Sequence, residues 1–164
     1  YDVLVYDYRT YGKSKGRLSE SALIRDARRV YKHLLKSYPS ENIIQYGISL
    51  GTGIATWLAI KTKCKILILE TPYRSMLEMA SRKAPYLSLK YILKFHLRTD
   101  KRIKKVECPI YIFHGTDDDL IPYEDSLYLS KLNPKIDLTT FKGGKHSNLN
   151  TFDLYHKRLK EILK

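Results

Sequence analysis

The chain is short of cysteine and of acids, and it has no long apolar run. Two cysteines in 164 residues, Cys64 and Cys108, cannot build a disulfide framework. Each adjoins a strand-like run, reads as a small buried hydrophobe and favours a reducing compartment. No stretch approaches the roughly 18 apolar residues of a membrane-spanning helix. Nothing at the start resembles a secretory signal, which is uninformative because the chain is expected to begin inside a longer protein whose N-terminal targeting region is not present; the expected location is cytoplasmic or membrane-associated. Seventeen acidic residues face thirty Lys and Arg, a formal net charge of +13. Such an excess invites nucleic acid, an anionic membrane or an acidic substrate. The bases are widely spread, lysine outnumbers arginine 20 to 10, and no nucleic-acid motif appears, so nucleic acid is not expected as a partner. The one concentration is Lys90, Lys94, Arg98, Lys101, Arg102, Lys104 and Lys105, interleaved with Tyr91 and Phe95. It reads as a solvated face, or as a contact of segment 90–105 with an anionic membrane surface.

What is present is an ordinary α/β pattern. A hydrophobic fraction of 43% and 164 residues suit one core. Strand-like runs fall at 2–7, 43–47, 65–70, 109–114 and 136–141, separated by helix-like stretches. Ser19 suits the N-cap of a helix with Leu23, Ala27, Val30, Tyr31, Leu34, Leu35 and Tyr38 on one face, stopped by Pro39. Further helices are expected after Ser49, from Tyr123 to before Pro134, and from about Thr151 to the end. Alternation of this kind predicts a mostly parallel sheet with helices on both faces and right-handed crossovers. Residues 1–164 form a single domain on this reading. The segment 73–107 interrupts the rhythm with many apolar residues. It is a candidate lid over a site, or two short helices packed on the sheet.

The most informative stretch is Tyr46-Gly47-Ile48-Ser49-Leu50-Gly51. A serine two residues from glycine on each side, between a short apolar run and a helix-like run, has the strand–turn–helix context of a G-x-S-x-G nucleophile turn. A serine nucleophile needs a base, and the base needs an orienting acid, expected downstream as acid and then histidine. The run Pro109–Phe113 ends in His114-Gly115-Thr116-Asp117-Asp118-Asp119. The run Ile136–Phe141 ends in Lys142-Gly143-Gly144-Lys145-His146. Acid and histidine thus sit just past strand ends, where parallel α/β sheets place their chemistry. His146 alone among five histidines lies on a glycine-rich loop after a late strand; His33, His96 and His156 lie in charge-rich stretches, and His114 suits a structural hydrogen-bonding role. Nothing in the residues themselves separates Asp118 from Asp117 and Asp119, and an Asp cluster after a strand is ordinarily a solvated turn.

Asp7-Tyr8-Arg9-Thr10-Tyr11-Gly12-Lys13-Ser14, with threonine for the usual fourth-position glycine, resembles the D-Y-R-G-Y-G-x-S segment of small serine hydrolases of the α/β-hydrolase superfamily, of depalmitoylase- and esterase-like type. His114-Gly115 through Asp118 to Ile121-Pro122 is similar to that family's H-G-x-x-D-x-x-V-P acid loop. Glu70-Thr71-Pro72-Tyr73-Arg74-Ser75 resembles its E-S-P-F-x-S turn. The resemblance covers essentially the whole chain and implies the α/β-hydrolase fold. It implies Ser49 as nucleophile, Asp118 as acid, His146 as base and the Leu50 backbone N–H as an oxyanion donor. It also places Tyr73 and Met76 on the substrate side. By the same resemblance the chain starts at the family's fourth strand, lacks the first strands and their oxyanion loop, and leaves a slot beside the strand bearing Ser49. The implied reaction is hydrolysis of a carboxylic ester or thioester, on a small-molecule or lipid substrate, through an acyl-enzyme. No metal or cofactor is called for. A serine peptidase of the same fold, or a catalytically silent module binding anionic surfaces, are the alternatives.

Overall fold

The computed structural model describes residues 1–84, 86 and 94–164. Four parallel strands, β1 (Ile44–Ile48), β2 (Ile66–Glu70), β3 (Ile110–Gly115) and β4 (Ile136–Phe141), pair in that order. Around them lie α1 (Glu20–Leu34), α2 (Leu50–Ala59), α3 (Met76–Lys83), the single turn α4 (Thr99–Arg102), α5 (Tyr123–Ser130) and α6 (Asp153–Ile162). Alternate residues of the strands face opposite sides. Leu67, Leu69, Ile110 and Ile112 meet Ala55 and Ala59 of α2 and Leu129 of α5 on one face. Ile66, Ile68, Phe113 and Phe141 meet Tyr155, Leu159 and Ile162 of α6 on the other. Both faces are covered, as a parallel sheet requires, and β2 is buried at every position.

Local chemistry explains the element ends. Ser19 caps α1, its hydroxyl accepting from Ala22 N–H. The helix stops at Leu34, so Leu35 and Tyr38, expected on its buried face, are exposed. The other sequence-derived strands and helices appear with ends shifted by up to three residues.

One expected strand does not form. Residues 2–7 make no ladder; Val3 and Val5 are 83% and 86% exposed. An open groove of about 630 Å³, lined by Tyr1, Leu4, Leu34, Tyr38 and Ile44, separates this segment from β1, which ends the sheet among the described residues. A strand needs a backbone about 4.8 Å away, and here none is in reach. Side chains hold the segment instead. Arg9 makes a bidentate pair with Asp26 of α1 at 2.6 and 2.9 Å, and Tyr6 and Tyr8, edge to face with each other, pack against the cluster around Leu23, Ala27 and Ile54.

The 73–107 segment is anchored in its described parts. Tyr73 and Leu97 are fully buried with Ile54 and Ile121, and Met76, Met79 and Phe95 pack around them. Buried Asp125 of α5 binds both Arg74, at 2.9 Å, and Arg82, at 2.6 Å. Glu20, in the first turn of α1, accepts from His96 N–H, Leu97 N–H and Arg102. Of the basic concentration, Arg98 is paired with Asp100 and Arg102 with Glu20, while Lys94, Lys101, Lys104 and Lys105 are exposed. Leu87, Leu89, Lys90, Tyr91, Ile92 and Leu93 lie outside the described residues.

Thr10 adopts φ +71° in the turn closed by Thr10 N–H to Ser14 O. A Cβ in this left-handed region costs about 1–2 kcal/mol, a cost that the glycine expected there from the resemblance would avoid. Thr10→Gly is expected to stabilise the chain by up to about 1 kcal/mol after the flexibility of glycine is deducted, measured by urea denaturation. Destabilisation would mean that the threonine side chain outweighs its strain.

Candidate active site

Ser49 lies between β1 and α2 at φ +49° and ψ −117°, a conformation that costs a residue with a side chain about 1–3 kcal/mol. The surroundings hold it there. Ser49 N–H donates to Glu70 O at 2.9 Å, and its carbonyl accepts from Thr52 N–H and from the Thr52 hydroxyl. Gly47 is obligatory for the approach: a Cβ there would stand 2.6 Å from Gly51 O. At Gly51 an added Cβ would only crowd the Tyr8 hydroxyl at 3.2 Å, so the two glycines of the motif are not equally constrained. Helix α2 starts at Leu50, whose N–H is therefore among the helix-terminal amides without an intrahelical acceptor.

The acid and histidine loops meet backbone to backbone. Asp117 N–H donates to Gly144 O at 2.9 Å, and Thr116 N–H and Gly144 N–H share Phe141 O. A Cβ on Gly115 would stand 2.0 Å from Gly144 O, so only glycine lets the loops close. This contact brings together residues far apart in sequence. His146 Nδ1 lies 2.9 Å from Asp118 Oδ2, and its Nε2 lies 3.0 Å from Ser49 Oγ. An ionised carboxylate only accepts, so Nδ1 carries the proton and Nε2 presents a lone pair to the serine hydroxyl.

The geometry also separates the three aspartates. Asp118 is buried, its side chain fully so, while Asp117 and Asp119 are exposed. Asp118 Oδ1 accepts from Leu120 N–H at 2.9 Å and Ile121 N–H at 2.8 Å. Its Oδ2 is shared by His146 and by a residue to which the sequence assigned only a structural bond, His114, at 3.2 Å. His114 is fully buried. Its Nε2 also lies 2.9 Å from Ile121 O, an acceptor, so Nε2 bears the proton; Nδ1 then accepts from the Ser126 hydroxyl at 2.6 Å. Burial by itself would raise the Asp118 carboxyl. The hydrogen bonds from His114, Ile121 and His146 outweigh it and hold the group down at about 2. The H-G-x-x-D spacing signals this second histidine: His114 is the last residue but one of β3, and Asp118 follows four residues later.

Of Tyr73 and Met76, expected on the substrate side, Tyr73 is placed otherwise. Tyr73 is fully buried, its hydroxyl donating to Leu50 O at 3.2 Å. It braces the turn from beneath and has no surface left for a substrate, because the apolar cluster of α1, α2 and Leu97 encloses it. Met76 is half-buried against the same cluster. Below the turn, the Glu70 carboxylate accepts from Tyr46 at 2.5 Å and from Tyr155 of α6 at 3.1 Å. Burial and that carboxylate both push the Tyr46 phenol upward. Among the described residues there is no cluster of three or more His, Cys, Asp or Glu able to hold a metal. Nor is any described helix long and apolar enough to cross a membrane.

Residues 1–103 match a known family, described as alpha/beta hydrolase fold. The chain belongs to that family. It is 32% identical over 165 residues to alpha/beta hydrolase domain-containing protein 17C of Homo sapiens, covering 99% of this chain and 49% of that protein. It is 34% identical over 122 residues to an uncharacterized protein of Mycobacterium tuberculosis, covering 73% of this chain and 43% of that one. The chain thus spans about half the length of the curated relatives it matches. Among solved structures, the Pyrococcus furiosus esterase Pf2001 superposes with TM-score 0.75 at 21% identity over 96% of this chain and 66% of that one. The Paleococcus ferrophilus monoacylglycerol lipase does so with TM-score 0.68 at 16% identity, over 96% and 80%. At such identities the superpositions establish the fold.

The depressed Asp118 carboxyl has a thermodynamic consequence. Its folded value, about 2, lies below the ordinary 3.8, so the ionised form stabilises the fold above about pH 4. That contribution is lost as pH falls through about 2. The stability advantage of wild type over Asp118→Asn is therefore expected to shrink by on the order of 2 kcal/mol between pH 5 and 2, followed by urea denaturation at each pH. A constant difference would mean that the carboxyl is not held low.

Proposed function

We propose that the chain carries the catalytic residues of a serine hydrolase that cleaves a carboxylic ester or thioester through an acyl-enzyme. The observation that carries this reading is the continuous relay from Asp118 through His146 to Ser49, with contacts of 2.9 and 3.0 Å. In this mechanism Ser49 Oγ attacks the carbonyl carbon as His146 Nε2 takes its proton. The oxygen of the tetrahedral intermediate gains negative charge and accepts from Leu50 N–H at the positive end of α2. His146 then passes the proton to the departing alcohol or thiol. Water, deprotonated by the same nitrogen, releases the acid from Ser49. Asp118 holds the imidazole in the tautomer that each step requires. His114 is a positioning residue, donating to Asp118 from behind. Family membership and the fold shared with an esterase and a monoacylglycerol lipase support the choice of ester chemistry.

A fluorophosphonate probe tests the nucleophile. It should label the full-length wild type and not Ser49→Ala. Asp118→Asn should lower turnover by about 10⁴, the scale of acid loss in a serine protease, whereas Asp117→Asn and Asp119→Asn should leave it near wild type. Equal losses at all three positions would remove Asp118 from this role. Because Asp118 stays ionised down to about pH 2, its protonation is not expected to lower turnover between about pH 8 and 5.

His114 is tested by shape. Its hydrogen bond to a carboxylate is of a kind worth about 1.5–3 kcal/mol, so His114→Leu should cost roughly 10- to 100-fold in kcat with KM little changed. His114→Gln, which keeps a donor where Nε2 stands, should restore most of the loss. Equal defects in the two variants would show that His114 serves packing alone.

A further inference from the structure

The loops that enter β2 and β3, at the end of the sheet opposite Ser49, bring Cys64 and Cys108 together. Leu67 pairs with Ile110, and Leu67 N–H donates to Pro109 O at 2.9 Å. Counted back along that ladder, the two cysteines are one residue out of register. With strands about 4.8 Å apart and a rise of about 3.3 Å per residue, their Cα atoms are roughly 6 Å apart. That lies within the span a disulfide bridges. Ladder alternation would turn neighbouring registers to opposite faces, but the backbone bends at Lys65 and Cys108. Both thiols consequently pack against the same apolar cluster, beside Ile60. Both are half-buried and line one open groove of about 530 Å³, shared with Lys61, Lys63 and Lys105 as well as Glu41 and Glu107.

We propose that Cys64 and Cys108 form a reversible thiol–disulfide exchange site whose co-substrate is an anionic low-molecular-weight disulfide of the glutathione type. The two thiols have unequal parts. Interaction with the adjacent Cys108 sulfur, aided by burial, raises Cys64 and keeps it a thiol. The same pairing, against burial and with Lys135 nearby, lowers Cys108 toward the thiolate, the nucleophilic form. Cys108 attacks one sulfur of the glutathione disulfide; that S–S bond breaks and one glutathione thiolate leaves, protonated by solvent. Cys64 loses its proton to solvent and attacks the Cys108 sulfur of the mixed disulfide, expelling the second glutathione. Two protein thiols are oxidised and one disulfide is reduced to two thiols. The lysines on the groove wall attract the carboxylates of the incoming disulfide. The bond closes a loop that contains β2 and the whole of the 73–107 segment. None of this depends on the hydrolytic role of Ser49.

The test is exposure of the reduced protein to oxidised glutathione at neutral pH, followed by intact mass and by alkylation of remaining thiols. The wild type should lose the mass of two hydrogen atoms, remain monomeric, carry no free thiol and revert with dithiothreitol. Cys64→Ser should stall with one glutathione attached, whereas Cys108→Ser should react slower by about tenfold or more. A neutral disulfide such as hydroxyethyl disulfide should react more slowly than the anionic one at low salt, and salt should narrow the gap. A persistent glutathione adduct on the wild type, independent adducts on both cysteines, disulfide-linked dimers or no reaction would each overturn the proposal. Equal rates with the two disulfides would remove the anionic preference.

Discussion

Asp117 N–H to Gly144 O is a single backbone bond, yet the arrangement of the site depends on the contact it closes. It joins the loop after β3 to the loop after β4, and the absence of a side chain at Gly115 leaves room for it. Once those loops touch, Asp118 and His146 fall within hydrogen-bonding distance without further adjustment. The relay then extends to Ser49, which α2 and Glu70 hold from the other side. Two glycine-permitted approaches, at Gly47 and at Gly115, therefore set the position of three side chains drawn from three separate turns. The strain at Ser49 is tolerated because the turn is bonded on both flanks.

Electrostatics follow from that geometry. A fully buried carboxylate would ordinarily prefer to be protonated. Asp118 stays ionised because two backbone amides and two imidazoles surround its oxygens with donors. His114 is itself oriented by Ser126 and Ile121, so the acid is fixed by a buried network rather than by one partner. Its exposed neighbours Asp117 and Asp119 have no such enclosure.

Much of the fold was legible because the strands are apolar and the helices amphipathic. Ser19 and Gly47 acted locally, and those signals read well, whereas α1 ended at Leu34, before Pro39 was reached. Residues 2–7 misled because alternation reports an extended, half-buried chain but does not say whether a neighbouring backbone is within reach. Choosing Asp118 from three consecutive aspartates needed the family motif, since only the folded loop buries one and exposes two. Tyr73 looked like a pocket residue; burial against Leu97 and Ile121 is a long-range fact that no local pattern carries. The proximity of Cys64 to Cys108 was hidden for the same reason, since it follows from strand register.

Glu70 links two parts of the molecule. Its carbonyl receives Ser49 N–H, and its carboxylate receives Tyr155 from the C-terminal helix. One residue thus belongs to both the Ser49 turn and the docking of α6. Undocking α6 would strand a buried carboxylate short of donors, and reshaping the turn would move that carboxylate away from Tyr155. The two events are thermodynamically linked, so whatever binds or loosens the last helix must change the population of correctly shaped turns, and a ligand held at Ser49 must in return tighten the helix.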